Sequence, residues 1–248
     1  MPVDALRLIR KMRGGAQAHL LEAADGHAYV VKFSNNPQHR RILANEWISS
    51  EFLRYLGLST PEAAVVNVTH EFLEENPDVY LQTGRERLLP DIGWHFGSRF
   101  PGDVARTVVY DFLPDVLLSK VANMGELIAM LAFDKWMGNA DARQAIFFRA
   151  RISELGPSGM PEQLGFVAQM VDNGYVFEGP HWRFPESAIQ VCISVRRSTK
   201  PCAGWTRLSR GWNASAISRR KWLTERSTAC RAVGSKEKRT PSNTYWSN

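Results

Sequence analysis

Two aspartates, each at the end of a structured run, constrain the fold of this chain most tightly. The segment Gly138-Asn139-Ala140-Asp141-Ala142-Arg143-Gln144 closes a helical pattern and opens an apolar run, Ala145 to Phe148. A second run, Phe166 to Val171, leads directly into Asp172-Asn173-Gly174. Strands over about Ala145 to Arg151 and Phe166 to Val171 would bracket a Gly/Pro-bearing loop. Such a hairpin brings Asp141 and Asp172 to one end despite 31 positions of separation.

Upstream, Gly14-Gly15 and Asp25-Gly26 are turn signals that divide residues 4–33 into three short strands. These are Ala5 to Ile9, Ala18 to Leu21 and Ala28 to Phe33, a small antiparallel sheet. From about His39 to Leu56 the pattern turns helical, with Leu43, Trp47, Ser50 and Leu53 on one stripe and Gly57 as the stop. Thr60-Pro61 introduces a strand from Ala63 to Val68. Residues 70–122 read as irregular, with strands at Trp94 to Arg99 and Thr107 to Phe112. Asn123 and Glu126 resemble a capping pair for a helix carrying Leu127, Met130, Leu131 and Met137 to Gly138. No internal repeat is present.

Glu46 is out of place on that pattern. It falls beside Leu43, Ser50 and Leu53, on the stripe that should face the sheet, and an unpaired buried carboxylate costs several kcal/mol. Lys32, at the end of the third strand, is the natural cation for it. Gly14-Gly15-Ala16-Gln17 has no Cβ at two positions, so backbone N–H groups there could approach phosphate oxygens closely. Taken singly, each feature has an ordinary explanation: a hairpin turn, a surface ion pair, or Asp binding its own backbone in a turn. Their order, Gly-Gly, strand Lys, helix Glu, loop Asp and strand-end Asp, is that of kinase-type phosphoryl transfer.

Composition adds less than it first suggests. The 248 residues carry a formal charge of +6, which looks like an invitation to nucleic acid. Residues 191–248 hold 13 Lys and Arg against 2 Asp and Glu, however, leaving residues 1–190 at a net −5. Cys192, Cys202 and Cys230 all lie in that basic tail, at spacings matching no zinc or redox motif. No stretch reaches the roughly 18 apolar residues of a membrane span, and the N-terminus lacks a signal-peptide core. The expected location is cytoplasmic, away from membranes.

The run Gly14-Gly15-Ala16-Gln17, with Tyr29-Val30-Val31-Lys32-Phe33, Asn45-Glu46, His95-Phe96-Gly97-Ser98-Arg99, Phe133 to Gln144 and Val171-Asp172-Asn173-Gly174, resembles the HipA-like kinase domain over about residues 10–190. The resemblance implies an α+β, two-lobed protein-kinase-like fold. A small antiparallel-sheet N-lobe (about 1–100) would precede a truncated helical C-lobe (about 101–190) and a basic irregular tail (191–248). It implies ATP and magnesium as cofactors and an ATP-dependent transfer to a Ser/Thr hydroxyl of a protein or to a small molecule. By position, Lys32 would contact phosphates, Glu46 would hold it, and Asp141 would orient or deprotonate the acceptor. Asp172 would bind magnesium, Gly14, Gly15 and Gln17 would lie over the phosphates, and His95 would lie near the adenine.

One departure bears on mechanism. Related kinases carry a metal-binding Asn five residues after the catalytic Asp, and Ile146 stands there; it cannot bind a hard cation. The amide oxygen of Gln144 is the substitute ligand. Arg143 either neutralises transferred phosphate or pairs with Asp141 or Asp172. With the helices of a full C-lobe not visible after residue 190, a nucleotide-binding pseudokinase or inactive remnant is the alternative. The tail reads as a disordered basic appendage, as the product of a frame shifted near residue 190, or as a nucleic-acid-binding segment whose Trp and Arg serve as stacking platforms.

Overall fold

The structure, a computed structural model, describes residues 1–141, 144–151 and 164–183, with Gln144 described in its backbone alone. Its elements in chain order begin with strands β1 (Val3–Lys11), β2 (His19–Ala23) and β3 (Ala28–Lys32), then helix α1 (Arg41–Tyr55) and β4 (Ala63–Val68). A short α2 (His70–Glu75) and the hairpin β5 (Leu81–Thr83) and β6 (Glu86–Leu88) precede β7 (Gly93–Arg99) and β8 (Val109–Tyr110). Helices α3 (Asp115–Leu118) and α4 (Met124–Met137) lead to β9 (Gln144–Arg151) and β10 (Leu164–Val171). The basic tail and its three cysteines lie outside the described residues.

The first three strands form the expected antiparallel meander, but the sheet does more than the sequence implies. It closes into a barrel in the order β1-β2-β3-β7-β4, with β4 antiparallel to β7 and parallel to β1 through Val3↔Val66 and Asp4↔Asn67. Closure removes the sheet edges. Leu21, Tyr29, Val31, Phe33, Val66 and Val68 fill the interior, each large aliphatic or aromatic side chain contributing about 1.5–3 kcal/mol by burial. Because side chains alternate across a strand, Lys32 points out of the barrel between two inward neighbours.

Helix α1 ends in a Schellman motif: Gly57, with φ +70, donates to Arg54 O at 3.1 Å and Leu58 N donates to Leu53 O at 2.9 Å. Its buried face is Ile42, Asn45, Glu46, Ser49, Ser50 and Leu53, not the stripe through Leu43 and Trp47. Trp47 is exposed and meets Phe96 edge-on. The polar residues are turned inward because α1 packs against the segment after β10 as well as against the barrel. Leu53 joins Met130, Phe133, Met137, Met170 and Val176 in a second core that ties α1, α4 and β10 together.

Two further expectations are corrected. The Asn123 side chain makes no capping bond; it exchanges two bonds with the Ala168 backbone, at 2.8 and 2.9 Å, while the Glu126 side chain accepts from Ser59 N at 2.7 Å. Tertiary partners outbid the local cap. The strand expected from Thr107 to Phe112 shrinks to Val109–Tyr110, which pairs with Phe148 and Phe147. Among the described residues no helix is long and apolar enough to cross a membrane.

Candidate functional site

Lys32 and Glu46 meet as an ion pair between β3 and α1, both side chains almost fully buried. The same ammonium donates to Asp172 Oδ1 at 2.7 Å, just beyond the end of β10. Burial alone would lower the Lys32 pKa, but the carboxylates of Glu46 and Asp172 outweigh it and hold the group above its usual value, so it stays charged. Burial pushes Glu46 up, as does Asp172, against the opposing pull of Lys32. Glu46 is satisfied at both oxygens, because Oε2 accepts from Asn173 N at 2.9 Å.

Asp172 itself takes a left-handed backbone, φ +57, and its side chain is about one-third exposed. Left-handed backbone in a non-glycine residue is strained and concentrates at functional sites. Asn173 and Gly174 follow, and both are buried. A Cβ on Gly174 would overlap Ile42 Cγ2 and lie 3.3 Å from Glu46 Oε1, so only glycine allows this approach to α1.

The Asp141 loop is tied to the same segment. Helix α4 stops at Gly138 in the left-handed region, φ +59. Ala140 N then donates to Tyr175 O at 3.0 Å, and Glu178 N donates back to Gly138 O at 3.2 Å. The buried Asn139 donates to Asp134 Oδ1 at 2.9 Å and accepts from Asp141 N at 3.1 Å, which fixes the turn in which Asp141 stands. The β9–β10 hairpin runs in register from Leu164↔Arg151 to Val171↔Gln144. Gln144, three positions after Asp141 in the chain, and Asp172 therefore lie at the same end of this hairpin. Arg143 and the Gln144 side chain lie outside what is described.

The glycine turn is at the Lys32 end of the barrel, since Lys11, His19 and Val31 share a register row. Gly14 has φ +122, and Gln17 N closes the turn onto Gly14 O at 3.1 Å. A Cβ on Gly15 would come 2.8 Å from Gln38 Nε2. The Gln17 side chain is committed elsewhere: it donates to Gln82 O at 2.8 Å and accepts from Gln82 N at 2.6 Å, joining the turn to β5. His95 points into the barrel, edge-on to Phe33, accepting from Ser34 N and donating to Asp91 O. Both its ring nitrogens serve the fold.

Sequence reasoning missed Asn45, which is completely buried beside Glu46. It lies off the stripe of Leu43, Trp47, Ser50 and Leu53 that the periodicity offered, so its place beside Glu46 was the one local sign of it. A groove of about 690 Å³ also lies behind α1, lined by residues including Arg54, Ser59, Thr60 and Glu126. None of Lys32, Glu46, Asp141 or Asp172 borders it.

A search of curated proteins returns no match. A family profile described as HipA-like kinase matches residues 6–146, from β1 through the Asp141 loop into β9. That span is more than half of the chain and carries Lys32, Glu46 and Asp141 in their observed places, and the chain belongs to the HipA-like kinase family.

Proposed function

We propose that this protein is an ATP-dependent phosphotransferase, passing the γ-phosphoryl of Mg-ATP to a Ser/Thr hydroxyl of a protein or to a small molecule. The observation that carries this reading is the Lys32 ammonium held at once by Glu46 and Asp172, which gathers a phosphate-binding cation and a metal-binding carboxylate from distant parts of the chain. Bound Mg-ATP would supply the phosphoryl group and part of the charge neutralisation. Hard oxygen donors suit magnesium, which is held by one or two carboxylates and substrate phosphates rather than by a closed protein cage. The carboxylate of Asp172 and the amide of Gln144 are oxygen donors of the kind that role requires.

In this reading Glu46 fixes the Lys32 ammonium for the phosphates, and the Gly14-Gly15 backbone lies over them. Asp141, held by Asn139, orients the acceptor hydroxyl or takes its proton. Arg143 neutralises transferred charge. Gln17 acts by fastening the glycine turn to β5, and His95 by filling the barrel. Positioning and electrostatics supply most of the rate in such reactions.

A pseudokinase reading is favoured by one observation: Ile146 occupies the usual ligand position and is embedded in β9, paired with Gln169. Transfer of radiolabelled γ-phosphate from ATP, to protein acceptors or to water, separates the two readings. Magnesium-dependent transfer lost in Asp141→Asn supports the enzyme. Nucleotide binding with no transfer from the parent chain supports the pseudokinase.

A further inference from the structure

Asn45 has no exposed surface, and a buried amide is tolerated only where its donors and acceptor are all engaged. Its Nδ2 carries two protons and faces three carbonyls, Gly174 O at 2.7 Å, Val176 O at 3.0 Å and Gly179 O at 3.1 Å, so that one N–H is shared between two of them. Its Oδ1 accepts from Trp182 Nε1 at 2.9 Å. One side chain thus fastens four points along residues 174–182. One turn earlier on α1, Arg41 donates to Pro180 O at 2.9 Å and covers the Trp182 ring at 4.9 Å.

The fastened segment is strained. Phe177, Glu178 and Gly179 have φ of +58, +60 and +64 in succession, a left-handed backbone that non-glycine residues adopt only under constraint. Between Asn45's anchor points, this segment provides Tyr175 O and Glu178 N, which hold Ala140 and Gly138 at the foot of the Asp141 loop. Immediately before it stand Asp172 and the Asn173 N–H held by Glu46. Apolar packing would suffice to join helix to loop, as Ile42 does against Gly174. Convergence of three carbonyls on one amide instead sets the path of the loop.

We infer that Asn45 is a positioning residue for phosphoryl transfer: it sets the loop after β10, and through it Asp172 and the Asp141 loop, against the helix that carries Glu46. This role rests on the phosphotransferase reading. Neither Asp nor an aliphatic residue can replace the amide, because a carboxylate would face three carbonyls without a proton to offer and an aliphatic side chain would leave those carbonyls and the Trp182 N–H unpaired.

The test uses the full chain, with Asn45→Asp and the milder Asn45→Ser, and Leu73→Ala as a control that destabilises the barrel core from α2, an element with no part in the proposed site. Unfolding midpoints are measured first. The magnesium dependence of ATP binding is then titrated well below all midpoints. The expected result is an at least tenfold loss of apparent Mg-ATP affinity in the Asn45 variants, with the parent value kept in Leu73→Ala despite an equal or larger drop in midpoint. Asn45→Ser covers the case in which Asn45→Asp does not fold. Unchanged affinity in a folded Asn45 variant, or an equal loss in the control, overturns the positioning role while leaving the phosphotransferase reading intact. A folded parent that binds no Mg-ATP overturns that reading, and the role falls with it.

Discussion

Asp172 lies 140 positions after Lys32 and accepts a hydrogen bond from its ammonium at 2.7 Å. This contact joins the first sheet to the end of the last hairpin. It also places a carboxylate beside the one cation that Glu46 already holds, so three charged groups from three elements share one site. Removing any one of them changes the electrostatic demand on the other two.

Lys32→Met should therefore cost stability as well as nucleotide affinity, since it strands a buried Glu46. Breaking a buried pair from one side costs about 3–5 kcal/mol. Adding Glu46→Gln should restore part of that loss, and chemical denaturation of both single variants and the double variant measures the coupling. Strict additivity would mean that the pair contributes no mutual stabilisation.

Gly174→Ala should destabilise the chain by about 1–3 kcal/mol through overpacking against Ile42. Pairing it with Ile42→Val should relieve part of the cost. Gly125→Ala serves as the comparison, because a Cβ there meets nothing within 4 Å and alanine is the better helix former. Equal midpoints for Gly174→Ala and the parent would show that α1 can yield at this contact.

His19 is buried in the barrel, and burial lowers its pKa from 6.5 to about 4; Lys11 adds to the shift, and the bond to Gln17 O opposes it. The unfolded chain therefore takes up this proton at a higher pH than the folded one. Stability should fall as pH drops from about 6.5 towards 4, and His19→Gln should flatten that part of the profile. Denaturation across this range checks it. A profile identical in parent and variant would assign the acid sensitivity to other groups, of which His95, also lowered by burial, is the first candidate.

Asp141→Asn should abolish phosphoryl transfer while leaving Mg-ATP binding within a few-fold of the parent, as expected for a group acting on the acceptor rather than on the nucleotide. Gln144→Ala should instead raise the magnesium concentration needed for half-maximal activity. Steady-state kinetics over a range of magnesium separates them, and turnover preserved in Asp141→Asn would remove that residue from the chemistry.

The strands were legible in the sequence where turn residues stood between them. Gly14-Gly15 and Asp25-Gly26 divide the first three, and the β9–β10 hairpin was visible from its two apolar runs. Closure of the barrel was not, because a parallel β1–β4 pair leaves no local signal. Glu46 stood out as a carboxylate on an inward stripe. Asn45 did not, since a neutral Asn ordinarily reads as exposed, and its burial depends on carbonyls more than 120 positions away. The Asn123 and Glu126 pair shows the converse: a pattern suited to a local cap was taken up by Ala168 and Ser59. Gln17 likewise read as part of a phosphate turn, whereas its side chain is bound to Gln82.

Thermal unfolding of the full chain with and without Mg-ATP, alongside Asp172→Ala, tests the central claim most directly. Ligand at about 100 times its dissociation constant stabilises by about 2.7 kcal/mol, a midpoint shift of roughly 5–10 °C for a domain of this size. A shift that requires magnesium and disappears in Asp172→Ala is the expected result. A cooperative transition that Mg-ATP leaves unmoved, or a shift that Asp172→Ala retains in full, would contradict a nucleotide site built on Lys32, Glu46 and Asp172.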